Sequence, residues 1–494
     1  MKSERWSEES EIKNVLQRVE PNNPSGIILY SEGDKDNYAY TGEGHSLILG
    51  VSGCGKSRRG TIPQIRSFIE GKESFICIDP KGEICKNTAG YAQNTHKIIV
   101  VNFRDPLHSM KWNPLKYAHT LYHKGKKDKS QQMIKDIINI MTKDFHVSND
   151  PFWRIQLENL LGALINILVE FGLEQQCNFL EASRILKEDS DTAQRDGTHM
   201  RGGLLSDICK LLPFDSPAKH LLEGYVAIVA ETTRTCVIAE TQMLLTKFFT
   251  TEAIKGLLCN DEIDIASIDA DKPLAIYIII PDENKVFGEL AGILVSQLTN
   301  HFIMLADDKY NGKLPIRVNL VLEELGNIGG SIPNLPHLMS ASRSRNMRLT
   351  LVLQSLSQLN DIYGYSAAET ISSNADVWMA FRTSNWNTLQ ELSNKCGQCF
   401  IRVGSMSDIQ PLITPNQLAA MEVGQALVII SGRTKFITQL PDYSFMFETS
   451  NIPEYKIETI SSRNNYIPFT KDQIKNKPTT TSKVKSAYLS MFDE

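Results

Sequence analysis

The chain has 494 residues, enough for roughly three domains and a large buried core. Hydrophobic residues at 41% and charged residues at 22% exclude a fibrous or wholly disordered protein. Lys plus Arg number 52 against 57 Asp plus Glu, so the formal charge of -5 excludes nucleic-acid binding by bulk positive charge and leaves room only for a local basic surface, such as a ring lumen.

The N-terminus, M-K-S-E-R-W-S-E-E-S, is charged and carries no apolar core of a secretory signal. The longest apolar stretch in a helical pattern, Leu160 to Val169, falls short of the roughly 18 residues a membrane span needs. Nine cysteines scattered from Cys54 to Cys399 form no disulfide framework, so a cytosolic, reducing location is expected.

Short runs rich in Ile, Val and Phe predict strands in two blocks. The first holds Ser46 to Leu49, Phe75 to Ile78 and Ile98 to Phe103. The second holds Leu274 to Ile280, Val318 to Leu322, Leu349 to Leu353, Val377 to Phe381 and Ala426 to Ile430. Continuous apolar runs suit a parallel sheet buried on both faces, and the class is α/β. Residues 116–270 read as helices instead, for example in W-R-I-Q-L-E-N-L-L-G-A-L-I-N-I-L-V-E-F, and predict an all-α insertion between two strands. The expected organisation is an N-terminal segment with the first half of a nucleotide-binding domain over 1–115, the insertion over 116–270, the second half over 271–445 and a flexible tail over 446–494. Ser461 to Glu494 carries six Lys/Arg against three Asp/Glu, and its apolar end, A-Y-L-S-M-F, reads as a docking peptide.

The motif with the clearest chemistry directly follows the run S-L-I-L. Gly50, Val51, Ser52, Gly53, Cys54, Gly55, Lys56 and Ser57 fit G-x-x-x-x-G-K-[ST]. The glycines let successive backbone N–H groups face phosphate oxygens, and the helix that begins there adds its positive end. Lys56 is expected to reach the β- and γ-phosphates and Ser57 to ligate Mg²⁺, with Arg58 completing the nucleotide-binding segment. Cys54 contributes its backbone N–H, and its thiol reads as an alkylation-sensitive handle.

A P-loop ATPase also needs an acid at the end of another strand. N-L-V-L-E-E-L supplies Glu323 and Glu324 after an apolar run, acids placed to hold Mg²⁺ and to orient the attacking water. Glu323 stands where Asp is usual, which makes hydrolysis less certain than binding. L-T-L-V-L-Q-S ends in Gln354, placed to sense the γ-phosphate or position water. Before it, S-R-S-R-N-M-R gathers Arg343, Arg345 and Arg348, one of which would serve as an arginine finger in a neighbouring subunit.

Taken with further elements in the same order, these residues resemble the type IV secretion coupling proteins, the DNA-pumping ATPases of bacterial conjugation. Those elements are I-D-P-K-G-E from Ile78, W-N-P-L from Trp112, D-P-F-W from Asp150, L-E-E-L-G-N-I-G from Leu322, V-L-Q-S-L-S-Q-L, L-I-T-P-N-Q-L and G-Q-A-L-V-I-I-S-G-R, and the likeness runs from about Leu47 to Tyr443. The resemblance implies a RecA-like P-loop NTPase motor domain with an inserted all-α domain. Six copies would form a ring that uses ATP and Mg²⁺ to move single-stranded DNA, attached to its relaxase, toward the secretion channel. By residue matching it assigns nucleotide and metal roles to Lys56 and Ser57, the catalytic glutamate to Glu324, the sensor to Gln354 and the trans arginine to Arg343. It gives Asp79 to Glu83 no secure role. Most members begin with transmembrane helices, so an anchorless chain implies a separate small membrane protein that holds it at the inner face of the membrane.

C-G-Q-C at Cys396 to Cys399 is half a zinc spacing without a second half, and reads as structural. No H-E-x-x-H or G-x-S-x-G is present. Trp153, Trp378 and Trp386 read as core or interface residues ahead of base-stacking ones. A double-stranded DNA translocase would need winged-helix sequence near the C-terminus, and the tail is too short and polar for it. A nucleotide-binding adaptor that hydrolyses little stays open because of Glu323. Substrate choice is expected to lie in the helical insertion.

Overall fold

Nine strands form one sheet, and eight of them are the apolar runs predicted above. In chain order they are β1 (His45–Leu49), β2 (Ser74–Asp79), β3 (Lys97–Asn102), β4 (Leu274–Ile279), β5 (Val318–Leu322), β6 (Met347–Leu353), β7 (Ala375–Ala380), β8 (Gln425–Ile430) and β9 (Thr434–Gln439). The computed structural model describes residues 4–20, 23, 25–143, 150–281, 283–284, 286–327, 332–403, 406–447, 455–456 and 467–475. The spatial order is β9-β8-β7-β1-β6-β5-β2-β4-β3. β1 to β7 run parallel, whereas β8 pairs antiparallel with β7 and β9 antiparallel with β8. The expectation of an all-parallel sheet is therefore corrected at one edge. The ninth strand escaped the apolar-run criterion because T-K-F-I-T-Q alternates between buried and more accessible positions, as an edge strand with one face on the core does.

The parallel register decides what can meet. Leu322 of β5 lies opposite Ile78 of β2 and Leu351 of β6, and Leu353 lies opposite Leu49 of β1. Four strand ends thus converge on one edge of the sheet, which is where open α/β sheets bind ligands.

The chain divides into two compact units. The first comprises residues 1–109 and 268–458, the second 110–267 and 459–494. In the first, one apolar cluster joins Ile48, Val352, Val377, Met379 and Val428 to Ile27, Ile28, Leu29 and Tyr40 of a small N-terminal antiparallel sheet. A second joins Phe75, Cys77, Tyr277 and Val321 to Ile62, Ile65 and Phe68 of helix α1 (Ile62–Glu70) and to Ile84 and Ala89 of helix α2 (Glu83–Ala92). Each buried large side chain contributes about 1.5–3 kcal/mol, so the strand ends are held by a stiff platform. Among the described residues no helix is long and apolar enough to cross a membrane.

The second unit is helical, built around α3 (Pro151–Phe171), which buries twelve residues from Leu157 to Phe171. The D-P-F-W motif is the start of this helix. Asp150 caps it by accepting the Phe152 N–H at 2.9 Å, and Pro151 occupies the first turn, where its missing N–H costs nothing. W-N-P-L is likewise structural: Trp112 is fully buried, and Asn113 Nδ2 donates to the Cys177 carbonyl at 2.8 Å.

Two expectations for this unit are corrected. It is not all-α, because Ala193–Asp196 and His199–Gly202 form an antiparallel hairpin. The Arg234 guanidinium pins it, donating to the Met200 and Gly202 carbonyls and to Asp189 at 3.2 Å, with both ionic partners buried. Nor is the tail loose throughout. Residues 467–475 pack on the helical unit through buried Phe469 and Ile474, while the A-Y-L-S-M-F end lies outside the described residues.

Candidate nucleotide-binding site

β1 ends at Leu49, and the glycine loop leaves the sheet there. The Gly50 N–H donates to the Leu353 carbonyl at 3.1 Å and the Val51 N–H to the Arg382 carbonyl at 3.0 Å, which lashes the loop to β6 and to the end of β7. Gly55 adopts φ +103, where a side chain would be strained, and a Cβ there would stand 2.9 Å from Arg59 Cδ. The backbone then enters a π-helical turn over Lys56–Thr61 before continuing as α1. Such local widening of a helix is frequent at functional sites.

The deciding contact crosses the sheet edge. Ser57 Oγ donates to Glu323 Oε1 at 2.6 Å, and Thr61 Oγ1 donates to Glu323 Oε2 at 2.6 Å. Ser57 and Thr61 lie four residues apart on one helical face, so both hydroxyls meet one carboxylate. Glu323 is only 3% exposed. Burial pushes its carboxyl above the usual range, and the two hydroxyls and the nearby Lys56 ammonium oppose that rise. One carboxylate thus accepts from both hydroxyls, one on each oxygen.

Lys56, 6% exposed, folds back onto its own loop and donates to the Gly50 carbonyl and, at 3.0 Å, to the Val51 carbonyl. Glu324 follows at φ +50, a left-handed conformation uncommon outside glycine, with Lys81 Nζ at 3.8 Å from its Oε1. Gln354 directly follows β6, which lies between the glycine-loop strand and the Glu323 strand, and its N–H is held by Gln358 Oε1 at 2.8 Å. Asp79 ends β2 on the same edge. Burial pushes its carboxyl up to about 6, against the Cys85 N–H that it accepts at 2.8 Å, and the Glu323 charge adds to the rise.

Other side chains named from the sequence have partners within the protein. Arg58 is bound to protein: its guanidinium makes a two-pronged pair with Asp442 at 2.6 and 2.8 Å and lies 4.8 Å from the Tyr443 ring centre. Cys54 is no handle, since its thiol is buried in the core cluster and burial pushes its pKa up. Arg343 does not join its own chain's loop. It precedes β6, so the length of that strand, about 20 Å, separates it from the glycine loop, and its Nη2 pairs with Asp376 at 2.9 Å. Of its neighbours, Arg348 is buried against Glu73 and Asn319, and Arg345 pairs with Asp307. Trp378 is 2% exposed with its indole N–H on the Ala375 carbonyl, which excludes base stacking, whereas Trp386 is largely exposed.

Sequence reading missed Thr61, Lys81, Asp442 and Gln358. For Thr61 the signal was present, four residues after Ser57. Gln358 likewise lies four residues after Gln354, inside a quoted motif, and Lys81 lies inside I-D-P-K-G-E, whereas Asp442 approaches only through tertiary folding.

Comparison with known proteins agrees with this architecture. The chain is 22% identical over 418 residues to the conjugal transfer protein TraG of Rhizobium radiobacter, and 22% identical over 418 residues to TraG of Agrobacterium fabrum. Each alignment covers 79% of this chain, and it spans about 60% of the length of these curated relatives. Among solved structures, the plasmid coupling protein TrwB in complex with ADP and Mg²⁺ superposes with a TM-score of 0.64 at 14% identity, covering 93% of this chain and 96% of that one. TrwB in complex with a non-hydrolysable ATP analogue gives the same score and identity, with 93% and 97% covered. The fold is that of a RecA-like P-loop NTPase with a helical domain. The family model for type IV secretory system conjugative DNA transfer matches residues 2–443, and the chain belongs to that family.

Proposed function

We propose that this chain is an ATP-driven coupling protein that recruits a relaxase–DNA substrate and moves single-stranded DNA to a type IV secretion channel. The observation that carries the reading is the joining of Ser57 and Thr61 to Glu323 at the sheet edge. A glycine loop without an acid at this place would make only an anion-binding turn. Backbone N–H groups of the loop would cradle the phosphates of ATP, with Lys56 leaving the Gly50 and Val51 carbonyls to reach them. The Ser57 hydroxyl and the Glu323 carboxylate are a hard-oxygen donor pair and fit Mg²⁺. When bound, that ion would neutralise charge on the β- and γ-phosphate oxygens. Glu324 would orient the attacking water, and Gln354 would sense the γ-phosphate.

Arg343 fits a role only toward a neighbouring copy, after leaving Asp376, in keeping with a homo-oligomer and most simply a hexameric ring. With a net charge of -5, DNA contact would be confined to a channel lining in the assembled ring. Secretion-channel components would be the docking partners on the cytoplasmic side.

Purified protein assayed for DNA-stimulated ATP hydrolysis, with Lys56→Ala and Glu324→Gln as controls, tests the reading. Turnover should depend on both residues. ATP binding without turnover above the Lys56→Ala level would instead identify a nucleotide-binding adaptor.

A further inference from the structure

The segment Ile78 to Glu83, I-D-P-K-G-E, takes no part in the chemistry derived so far, yet it lies against both halves of the site. Its turn is built to be rigid. The Asp79 carboxylate accepts the Cys85 N–H at 2.8 Å, the Gly82 N–H donates to the Asp79 carbonyl at 3.4 Å, and Gly82 closes the turn at φ +72. From this frame two opposite charges project. Lys81 Nζ stands 3.8 Å from Glu324 Oε1, and Glu83 Oε1 stands 3.7 Å from Arg58 Nη1, in the helical turn just after the glycine loop. Exposed pairs at such distances add little to folding stability. Glu324 itself holds a left-handed backbone, the kind of strained conformation that clusters at functional sites.

We propose that the Asp79 to Glu83 turn is a positioning element of the ATPase, in which Lys81 aims the Glu324 carboxylate and Glu83 ties the same turn to Arg58. This rests on the reading of Glu324 as the water-orienting group. Lys81 itself touches no substrate: it sets where the carboxylate points, and Asp79 sets where Lys81 stands. An ammonium at this place gives the turn a reason to carry Lys81 that neither the sheet nor α2 provides.

The test is steady-state ATPase kinetics of Lys81→Met and Lys81→Arg, with affinity for a fluorescent ATP analogue measured alongside. Lys81→Met should lower kcat roughly tenfold to a hundredfold, the scale of a small misplacement of a catalytic group, while analogue affinity and KM stay at wild-type values. Lys81→Arg should restore most of the rate. In single-turnover assays Lys81→Met should add nothing to Glu324→Gln, since both would act through one carboxylate. Wild-type kcat in Lys81→Met, or a full further loss on top of Glu324→Gln, would overturn the inference while leaving hydrolysis intact. A wild-type protein that turns over no faster than Lys56→Ala would overturn the hydrolysis reading, and the inference with it.

Discussion

At the scale of single residues, the site is governed by two buried acids whose surroundings differ. Glu323 has hydroxyl partners on both oxygens, so replacing one of them should be felt in stability before any ligand is added. Thr61→Val keeps the side-chain shape but removes a donor to a buried carboxylate. It should cost about 1–3 kcal/mol, read as a lower thermal midpoint of the nucleotide-free protein, and an unchanged midpoint would show that the bond contributes nothing. Asp79 behaves in the opposite sense from a salt-bridged acid. Its carboxyl rises from an ordinary 3.8 to about 6 on folding, so the folded state binds the proton more tightly than the unfolded chain. The stabilisation is complete below about pH 4 and is lost as pH rises to 6 and beyond. Between those limits Asp79 should take away roughly 2–3 kcal/mol. Asp79→Asn should remove that component, so the wild type should lose more stability than the variant when unfolding is followed from pH 4 to pH 7. Equal losses would contradict the assigned shift.

At the scale of elements, the helical unit depends on two polar anchors that a hydrophobic pattern does not announce. One is the Asp189–Arg234 pair beneath the hairpin. Asp189→Ala should leave a buried guanidinium uncompensated and cost about 3–5 kcal/mol, seen as early melting of the helical unit with the nucleotide-binding unit unaffected. The other holds the tail. The fully buried Glu181 carboxylate accepts the Phe469 N–H at 2.7 Å, and Arg184 donates to the Phe469 carbonyl at 2.7 Å while pairing with Glu181. Phe469 is 3% exposed, so Phe469→Ala should cost about 3–5 kcal/mol at this contact and open residues 467–475 to limited proteolysis. A protected segment in the variant would show that the polar contacts suffice. Sequence patterning could not foresee this docking, because the segment I-P-F-T-K-D-Q-I-K carries only three large apolar residues and its partners lie almost three hundred positions earlier.

At the scale of the whole molecule, the prediction concerns copies of the chain rather than one copy. Arg343 sits a strand's length from its own glycine loop, so Arg343→Ala mixed with Lys56→Ala should recover part of the ATPase activity if a neighbour's arginine completes each site. Absence of recovery at any mixing ratio would remove the trans role. What the sequence by itself determined is the local chemistry and the class of fold. The glycine loop, the Glu323–Glu324 pair, Gln354 and eight of the nine strands of the main sheet were legible, because a phosphate loop must have its residues at set spacing and a doubly buried strand must be continuously apolar. Only the tertiary structure decided which of these groups meet. The parallel register brings Ser57, Thr61 and Glu323 together across more than 260 residues, turns Arg58 toward Asp442, buries Cys54 and Trp378, and sets Lys81 beside Glu324. Those outcomes depend on strand order and register, which the apolar runs do not specify although they suit parallel strands.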